Sequence, residues 1–147
     1  MALRQWVRSS AQRLTDELGG LADEHWIRQV RTAQGRIVPT SEVPWMRTRE
    51  VMVHAADLGA GVTFADLPKA FLAALIDDIV GKRSAGGDGP ALRVTSAHGE
   101  RTWSVAGQGR PTEVTGSLAD ITTYLAGRRP AHVSAGAGAV PELPRWL

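Results

Sequence analysis

Two residues able to bind a metal ion, Glu50 and His54, stand four positions apart in this chain. The stretch around them has helical spacing, and side chains four apart on a helix project from one face about one turn apart. That face offers a metal one carboxylate oxygen and one imidazole nitrogen. A catalytic zinc typically takes three protein ligands. The pair is therefore part of a site or, in the simpler interpretation, an i,i+4 contact between helical side chains.

Three arginines are candidates for binding an anionic substrate. Arg47 and Arg49 flank the pair and either hold substrate carboxylates through bidentate hydrogen bonds or face solvent. Arg47 lies one turn before Glu50, so it reaches either the metal-binding face or the Glu50 carboxylate. Arg128 follows the last predicted helix, where it either interacts with the negative end of the helix dipole or binds an anion in a cleft.

Asp57 has two interpretations as well. It lies three residues after His54, so its carboxylate either orients the imidazole or caps the glycine-rich turn that follows. The remaining histidines, His25, His98 and His132, have no partner at metal-ligand spacing and are interpreted as packing or surface residues.

The composition excludes several classes of function. Lys plus Arg is 17 and Asp plus Glu is 15, so the net charge of +2 is not that of a nucleic-acid binder. The absence of cysteine excludes disulfides and thiolate ligands within the chain and fits a reducing cytoplasm. No apolar run approaches the roughly 18 residues of a membrane span. We therefore expect a cytoplasmic protein without membrane or nucleic-acid partners.

Helical periodicity dominates the first part of the chain. Apolar residues at three- and four-residue steps over residues 3–18 predict an amphipathic helix that ends at Gly19 and Gly20. Residues 26–38 form either a short hairpin or a helix end followed by a strand. A second helix, capped by Thr40 or Ser41, runs from there to about Leu58.

The second part mixes helices and strands. A third helix is expected to start at Asp66 as its N-cap, and residues 81–90 read as a loop. Alternating residues over 92–105 predict a hairpin, residues 113–116 another strand, and Ser117 the cap of a last helix. A glycine- and proline-rich tail follows. The fold class is α+β, with a boundary near residues 59–66.

Residues 44–58 carry the motif Pro-Trp-Met-Arg-x-Arg-Glu-Val-x-Val-His-x-x-Asp-Leu, followed by Gly61, Phe64 and Asp-Leu-Pro at 66–68. This motif resembles the mycothiol-dependent maleylpyruvate isomerase family, as do residues 116–128 and the closing Leu-Pro-Arg-Trp-Leu. The resemblance implies a partial DinB-like helix bundle in residues 1–60, comprising its last two helices, and a small α+β C-terminal domain in residues 61–147.

The resemblance also implies a chemistry. Glu50 and His54 become ligands of a divalent metal, typically zinc, completed by a histidine from an early bundle helix. The metal activates the thiol of mycothiol, which attacks a small electrophilic substrate such as maleylpyruvate. Arg47 and Arg128 are then the candidate catalytic residues.

One departure from the family leaves the activity open. The chain starts at what corresponds to the third helix of the family, and no histidine precedes His25. Three interpretations follow: an N-terminally truncated isomerase or thiol transferase, a non-catalytic interaction module that needs a partner, or a half-bundle that dimerises to complete the bundle.

Overall fold

The structure, a computed structural model, describes residues 2–97, 99–130 and 132–146. The chain divides into two compact units, Met1–Glu50 and Val51–Leu147, and the division falls inside one helix. The described residues form five α-helices, a two-stranded sheet and a four-stranded sheet. The predicted α+β class is confirmed.

The first unit begins with an amphipathic helix and a hairpin. Helix α1 (Ala2–Gly19) contains no buried residue, and Leu3, Trp6 and Val7 are exposed. A short helix α2 (Asp23–Trp26) leads into strands β1 (Gln29–Arg31) and β2 (Ile37–Pro39), which pair antiparallel. Of the two interpretations of residues 26–38, the hairpin is therefore correct.

Helix α3 (Glu42–Asp57) carries the motif residues. Pro44 sits in its first turn, where a missing N–H costs nothing, and its carbonyl accepts a hydrogen bond from Thr48 Oγ1 at 2.8 Å. The helix ends where Gly59 adopts φ +62°, a conformation that glycine enters without a steric penalty. The predicted end at about Leu58 is correct to within one residue.

The second unit places two helices beside a four-stranded sheet. A short 3-10 turn (Phe64–Asp66) and α4 (Lys69–Gly86) precede the strands, and α5 (Leu118–Leu125) interrupts them. The strands are β3 (Pro90–Ser96), β4 (Thr102–Val105), β5 (Gln108–Gly116) and β6 (Val133–Ala135). Their order is β4-β3-β5-β6; β3 is parallel to β5, and the other pairs are antiparallel.

The core of this unit lies between α4, α5 and one face of the sheet. The largest aliphatic side chains that are fully buried there come from both helices and the two central strands: Leu75, Ile76, Ile79, Leu92, Val94, Val114, Ile121 and Leu125. Each such side chain stabilises the fold by roughly 1.5–3 kcal/mol relative to exposure. The strand residues that alternate with the core, such as Arg93, Ser104 and Glu113, are exposed and polar.

Both boundaries predicted for the third helix were wrong. Asp66 does not cap a long helix, because its carboxylate accepts from the backbone N and Oγ1 of Thr63 at 2.8 and 2.7 Å and caps the 3-10 turn. Helix α4 starts only after Pro68. It then continues through most of the expected loop to Gly86, where Gly87 at φ +66° ends it.

His98, interpreted from the sequence as a surface residue, lies outside the described residues. Strand β6, within the predicted tail, was not foreseen. None of the helices in the described part of the chain has the length and apolarity needed to cross a bilayer.

Candidate functional site

Helix α3 places Glu50 and His54 one turn apart, as the spacing predicted. The Glu50 side chain is 42% exposed, and its Oε1 lies 3.3 Å from Nη2 of Arg49. The guanidinium of Arg49 therefore pairs with this carboxylate. Arg49 is also buried, which rejects the solvent-facing interpretation of that residue.

A cavity of about 360 Å³ lies beside Glu50 within the first unit. Arginines from two elements line it, Arg31 at the end of β1 and Arg47 and Arg49 from α3. Arg47 is exposed, and Arg31 donates from Nη1 to the carbonyl of Gly35 at 3.3 Å. Three guanidinium groups against one carboxylate make this cavity suited to a small anion, because guanidinium binds carboxylate in a bidentate manner.

His54 is oriented by the residue that follows it by three. Its Nδ1 lies 3.1 Å from Oδ2 of Asp57. An ionised carboxylate can only accept a hydrogen bond, so Nδ1 is the donor, and in the tautomer that donates from Nδ1 the atom able to bind a metal is Nε2. The imidazole-orienting interpretation of Asp57 is the one that the geometry supports. This is the arrangement found around metal-binding histidines, in which a carboxylate fixes the tautomer.

Asp57 is held in turn by Arg128. The guanidinium donates from Nε to Oδ1 at 2.9 Å and from Nη2 to Oδ2 at 2.6 Å. Arg145 adds a more distant positive charge, its Nη2 lying 4.0 Å from Oδ1. The hydrogen bonds from Arg128 lower the pKa of Asp57, aided by the charges of both arginines and opposed by burial. Asp57 therefore stays ionised and remains the acceptor of the hydrogen bond from His54 Nδ1.

Arg128 also makes the contact expected from the other interpretation of this residue, an interaction with the negative end of the last helix. Its Nη1 donates to the carbonyl of Ala126 at 2.6 Å, so the cation binds a carbonyl at the C-terminal end of α5. Its side chain is 10% exposed. Arg128 is thus a fixed guanidinium rather than a mobile one.

A second cavity, of about 500 Å³, opens beside the Asp57–Arg128 pair within the second unit. Its walls combine these two residues with the 3-10 turn, the start of α5 and the segment after it. The polar side chains that line it include those of Asp57, Thr63, Ser117, Thr123, Arg128 and Arg129. An anionic ligand would meet the exposed Arg129 here.

The donor types fit a zinc ion, but their number does not. The described residues contain no group of three or more His, Cys, Asp or Glu side chains placed to hold a metal. Glu50 and His54 supply two ligands of the right chemistry, and His54 Nε2 is presented by Asp57. A complete zinc site takes at least one protein ligand more.

Sequence reasoning missed several partners in these sites. Arg31 lines the arginine-rich cavity, and Arg145 faces Asp57 from near the end of the chain. Neither residue stands at a spacing that suggests a ligand, and each comes near its site only through folding. His25 is half-buried, with its Nδ1 shielded from solvent and its Nε2 3.7 Å from Oε1 of the adjacent Glu24.

Comparison with known proteins shows which proteins this chain is similar to. The family model of the mycothiol maleylpyruvate isomerase N-terminal domain matches residues 1–59. A crystal structure of the mycothiol-dependent maleylpyruvate isomerase matches 99% of this chain at 41% sequence identity, with a TM-score of 0.88. The chain is therefore similar to the mycothiol-dependent maleylpyruvate isomerase over nearly its whole length.

A second crystal structure, of a histidine-to-alanine mutant of the mycothiol-dependent maleylpyruvate isomerase, gives the same identity and TM-score. The present chain spans 60% of the length of each of these two structures. A search of curated proteins found no match. The resemblance to the mycothiol-dependent maleylpyruvate isomerase family, first drawn from the motif at residues 44–58, is confirmed.

Proposed function

We propose that this chain acts in a mycothiol-dependent isomerisation or thiol transfer of the maleylpyruvate isomerase type. The observation that carries the proposal is the hydrogen-bonded series from His54 through Asp57 to Arg128. The series occurs in a chain that is 41% identical, over 99% of its length, to the mycothiol-dependent maleylpyruvate isomerase. A fixed imidazole and a fixed guanidinium are what a reaction of a thiol with an anionic substrate requires.

The reaction needs no net oxidation. The thiolate sulfur adds to one alkene carbon of the substrate, and the electron pair moves into the adjacent carbonyl as an enolate. Rotation about the resulting single bond is followed by expulsion of the thiolate, which restores the double bond in the other geometry. Arg128 and Arg47 are proposed to bind the carboxylates of the substrate, each beside a cavity of its own unit.

Glu50 and His54 are proposed to be two ligands of a divalent metal, zinc by its preference for such donors. When bound, this metal would lower the pKa of a coordinated thiol. We propose that the third ligand is a residue outside the described part of this chain. The support for the proposal is the one-turn spacing on α3 and the orientation of His54 by Asp57.

The proposed domain assignment follows the same family pattern. Residues 1–60 are proposed to be the last two helices of a metal-binding bundle, in line with the family match to residues 1–59. Residues 61–147 are proposed to be the C-terminal α+β domain. A small electrophilic substrate, mycothiol as cosubstrate and a cytoplasmic location complete the proposal.

Helix α1 suggests what else the chain associates with. Its exposed apolar residues, Leu3, Trp6 and Val7, are 73%, 63% and 50% accessible. Such a stripe is normally covered by other helices. We propose that a preceding segment or a second copy of the chain covers it. The same observation favours the alternative function, a non-catalytic interaction module that works only with its partner.

The test is conversion of maleylpyruvate to its trans isomer by the purified chain, followed by NMR. Mycothiol and zinc are added together and separately, and glutathione replaces mycothiol as the thiol control. We expect conversion that depends on mycothiol and that falls at least about 100-fold in Arg128→Ala, as when a transition-state contact is lost.

Arg101→Ala serves as the matched arginine control, because Arg101 directly precedes β4, the edge strand farthest from β6, and pairs with the exposed Asp77. Activity of Arg101→Ala should equal that of the unmodified chain. A folded, zinc-supplied chain that shows no mycothiol-dependent conversion in either its monomeric or its associated fraction would contradict the catalytic proposal and leave the interaction module.

A further inference from the structure

The last residues of the chain are fastened to helix α5. In the C-terminal segment, defined as residues 141–146, the carbonyl of Pro141 accepts a hydrogen bond from Tyr124 Oη at 2.9 Å. The carbonyl of Pro144 accepts from Arg83 Nη2 at 2.7 Å. The same Arg83 donates from Nε to the carbonyl of Leu125 at 2.8 Å, so one guanidinium joins α4, α5 and the C-terminal segment.

In the turn after α5, the backbone packs directly against the backbone of the C-terminal segment. Gly127 adopts φ +70°, and a Cβ at this position would lie 2.6 Å from Cα of Arg145. Only glycine is accommodated there without displacing the segment. The ring of Trp146 lies 4.9 Å from Nζ of Lys82, which adds a cation–π contact at the end of the segment.

One carbonyl oxygen connects this fastening to the candidate site. The carbonyl of Ala126 accepts from the backbone N of Trp146 at 3.2 Å and from Nη1 of Arg128 at 2.6 Å. The peptide that the C-terminal segment holds is therefore the one that holds the guanidinium. From the same segment, Arg145 reaches to 4.0 Å from the carboxylate of Asp57.

We propose that the C-terminal segment is a positioning element for Arg128. By fixing Ala126 and Gly127, it sets the direction from which the guanidinium meets Asp57. Tyr124, Arg83 and Gly127 are its positioning residues. The benefit of this device rests on the proposed function, in which Arg128 binds substrate, whereas the positioning itself is a property of the fold.

The energetics favour such a device. A free arginine side chain loses rotamer entropy when it is ordered. If folding has already ordered the side chain, this entropy is not lost again when an anion binds. The bonds from Tyr124 Oη to Pro141 and from Arg83 Nε to Leu125 are partly buried, and this burial raises the pKa of Tyr124 to about 12 and lowers that of Arg83. A hydrogen bond in such a low-dielectric setting is electrostatically stronger than one in water.

The experiment follows the Nε–H proton of Arg128 by NMR in the nitrogen-15-labelled chain, as its rate of exchange with water. Tyr124→Phe removes a single hydroxyl, and Gly127→Ala displaces the segment. We expect exchange at Arg128 to accelerate roughly three- to tenfold in Tyr124→Phe, the change that a lost hydrogen bond produces, and more in Gly127→Ala. Asp77→Asn is the control, because Asp77 also lies on α4 but bonds Arg101 and Trp103 instead of the segment.

Unchanged exchange at Arg128 in Tyr124→Phe would overturn the proposal, even if Gly127→Ala did not fold. Equal acceleration in Asp77→Asn would overturn it as well, since it would indicate general loosening. Thiol-dependent isomerisation is measured in the same samples and should fall with Arg128 order. A chain that shows the expected exchange pattern but no isomerisation would defeat the proposed function and leave the positioning intact.

Discussion

The guanidinium of Arg128 meets the carboxylate of Asp57 in a two-point contact, Nε to Oδ1 at 2.9 Å and Nη2 to Oδ2 at 2.6 Å. The two residues are 71 positions apart in sequence. Parallel paired bonds of this kind combine charge with a fixed plane, so they define an orientation as well as a distance. Because the same carboxylate bonds His54, the orientation of an imidazole and that of a guanidinium are set together.

This contact should be visible in the stability of the protein. The Arg128 and Asp57 side chains are 10% and 20% exposed, whereas those of the surface pair Arg101 and Asp77 are 47% and 53% exposed. We expect Asp57→Asn to lower the free energy of unfolding by about 1–3 kcal/mol and Asp77→Asn by less than about 1 kcal/mol. Urea titration measures both. Equal losses would show that the two-point contact stabilises the fold no more than an exposed ion pair does.

Zinc binding should depend on the α3 pair. Isothermal titration of the chain is expected to show weak zinc binding that Glu50→Ala and His54→Ala each abolish. Asp57→Asn should weaken it roughly 10-fold or more, because the imidazole loses its orienting carboxylate. His25→Ala is the matched control, since His25 also stands beside a glutamate, Glu24, and should leave binding unchanged. Binding that persists without His54 would place the metal elsewhere.

Tyr124 provides a spectroscopic measure of burial. It is the single tyrosine of the chain, so the tyrosinate absorbance reports this residue alone. Its pKa is raised to about 12 by burial, against an ordinary value of about 10. The raised folded-state pKa leaves stability intact below about pH 10 and removes it progressively as the pH rises toward 12.

The folded chain should accordingly show little tyrosinate at pH 10 to 11, where the urea-unfolded chain is at least half ionised. Unfolding free energy should decline over the same interval, and less steeply in Tyr124→Phe, which cannot ionise there. Half-ionisation of the folded chain near pH 10 would contradict the burial of this hydroxyl.

Helix α1 should drive association. Its apolar residues Trp6 and Val7 are exposed on the same helix as Leu3. We expect the chain to form dimers or larger species in light scattering, and the double change Trp6→Gln with Val7→Gln to shift them toward monomer. Ile27→Gln is the control, because Ile27 is 80% exposed but lies outside α1. A monomer at all concentrations would contradict the proposed partner role of α1.

Local signals in the sequence predicted the fold better than the site. Apolar spacing located α1 and α3, and Ser117 was correctly taken as a cap, since its Oγ accepts from the backbone N of Asp120. These elements depend on residues only a few positions apart. Helix α4 extends beyond its predicted end. Gly81 and Gly86 suggest a loop, but they are tolerated in a helix that packs on the sheet.

The site depends on distant pairs, and these have no local signature. The spacing of Glu50 and His54 was readable because one helix holds both. The pairing of Arg128 with Asp57, and the fastening of the C-terminal segment, arise from the packing of α4, α5 and the sheet. A glycine- and proline-rich tail gives no periodic pattern, so neither β6 nor the contacts of residues 141–146 could be inferred from it.

The polar outer face of the four-stranded sheet has a practical consequence. Ser104 lies on this face between the buried Trp103 and Val105, and the chain contains no cysteine. A Ser104→Cys substitution would therefore create a unique attachment point for a fluorophore or spin label. Surface changes of this kind usually alter stability by less than about 0.5 kcal/mol. The second unit can thus be followed in solution by a single probe that touches neither its core nor the Asp57–Arg128 pair.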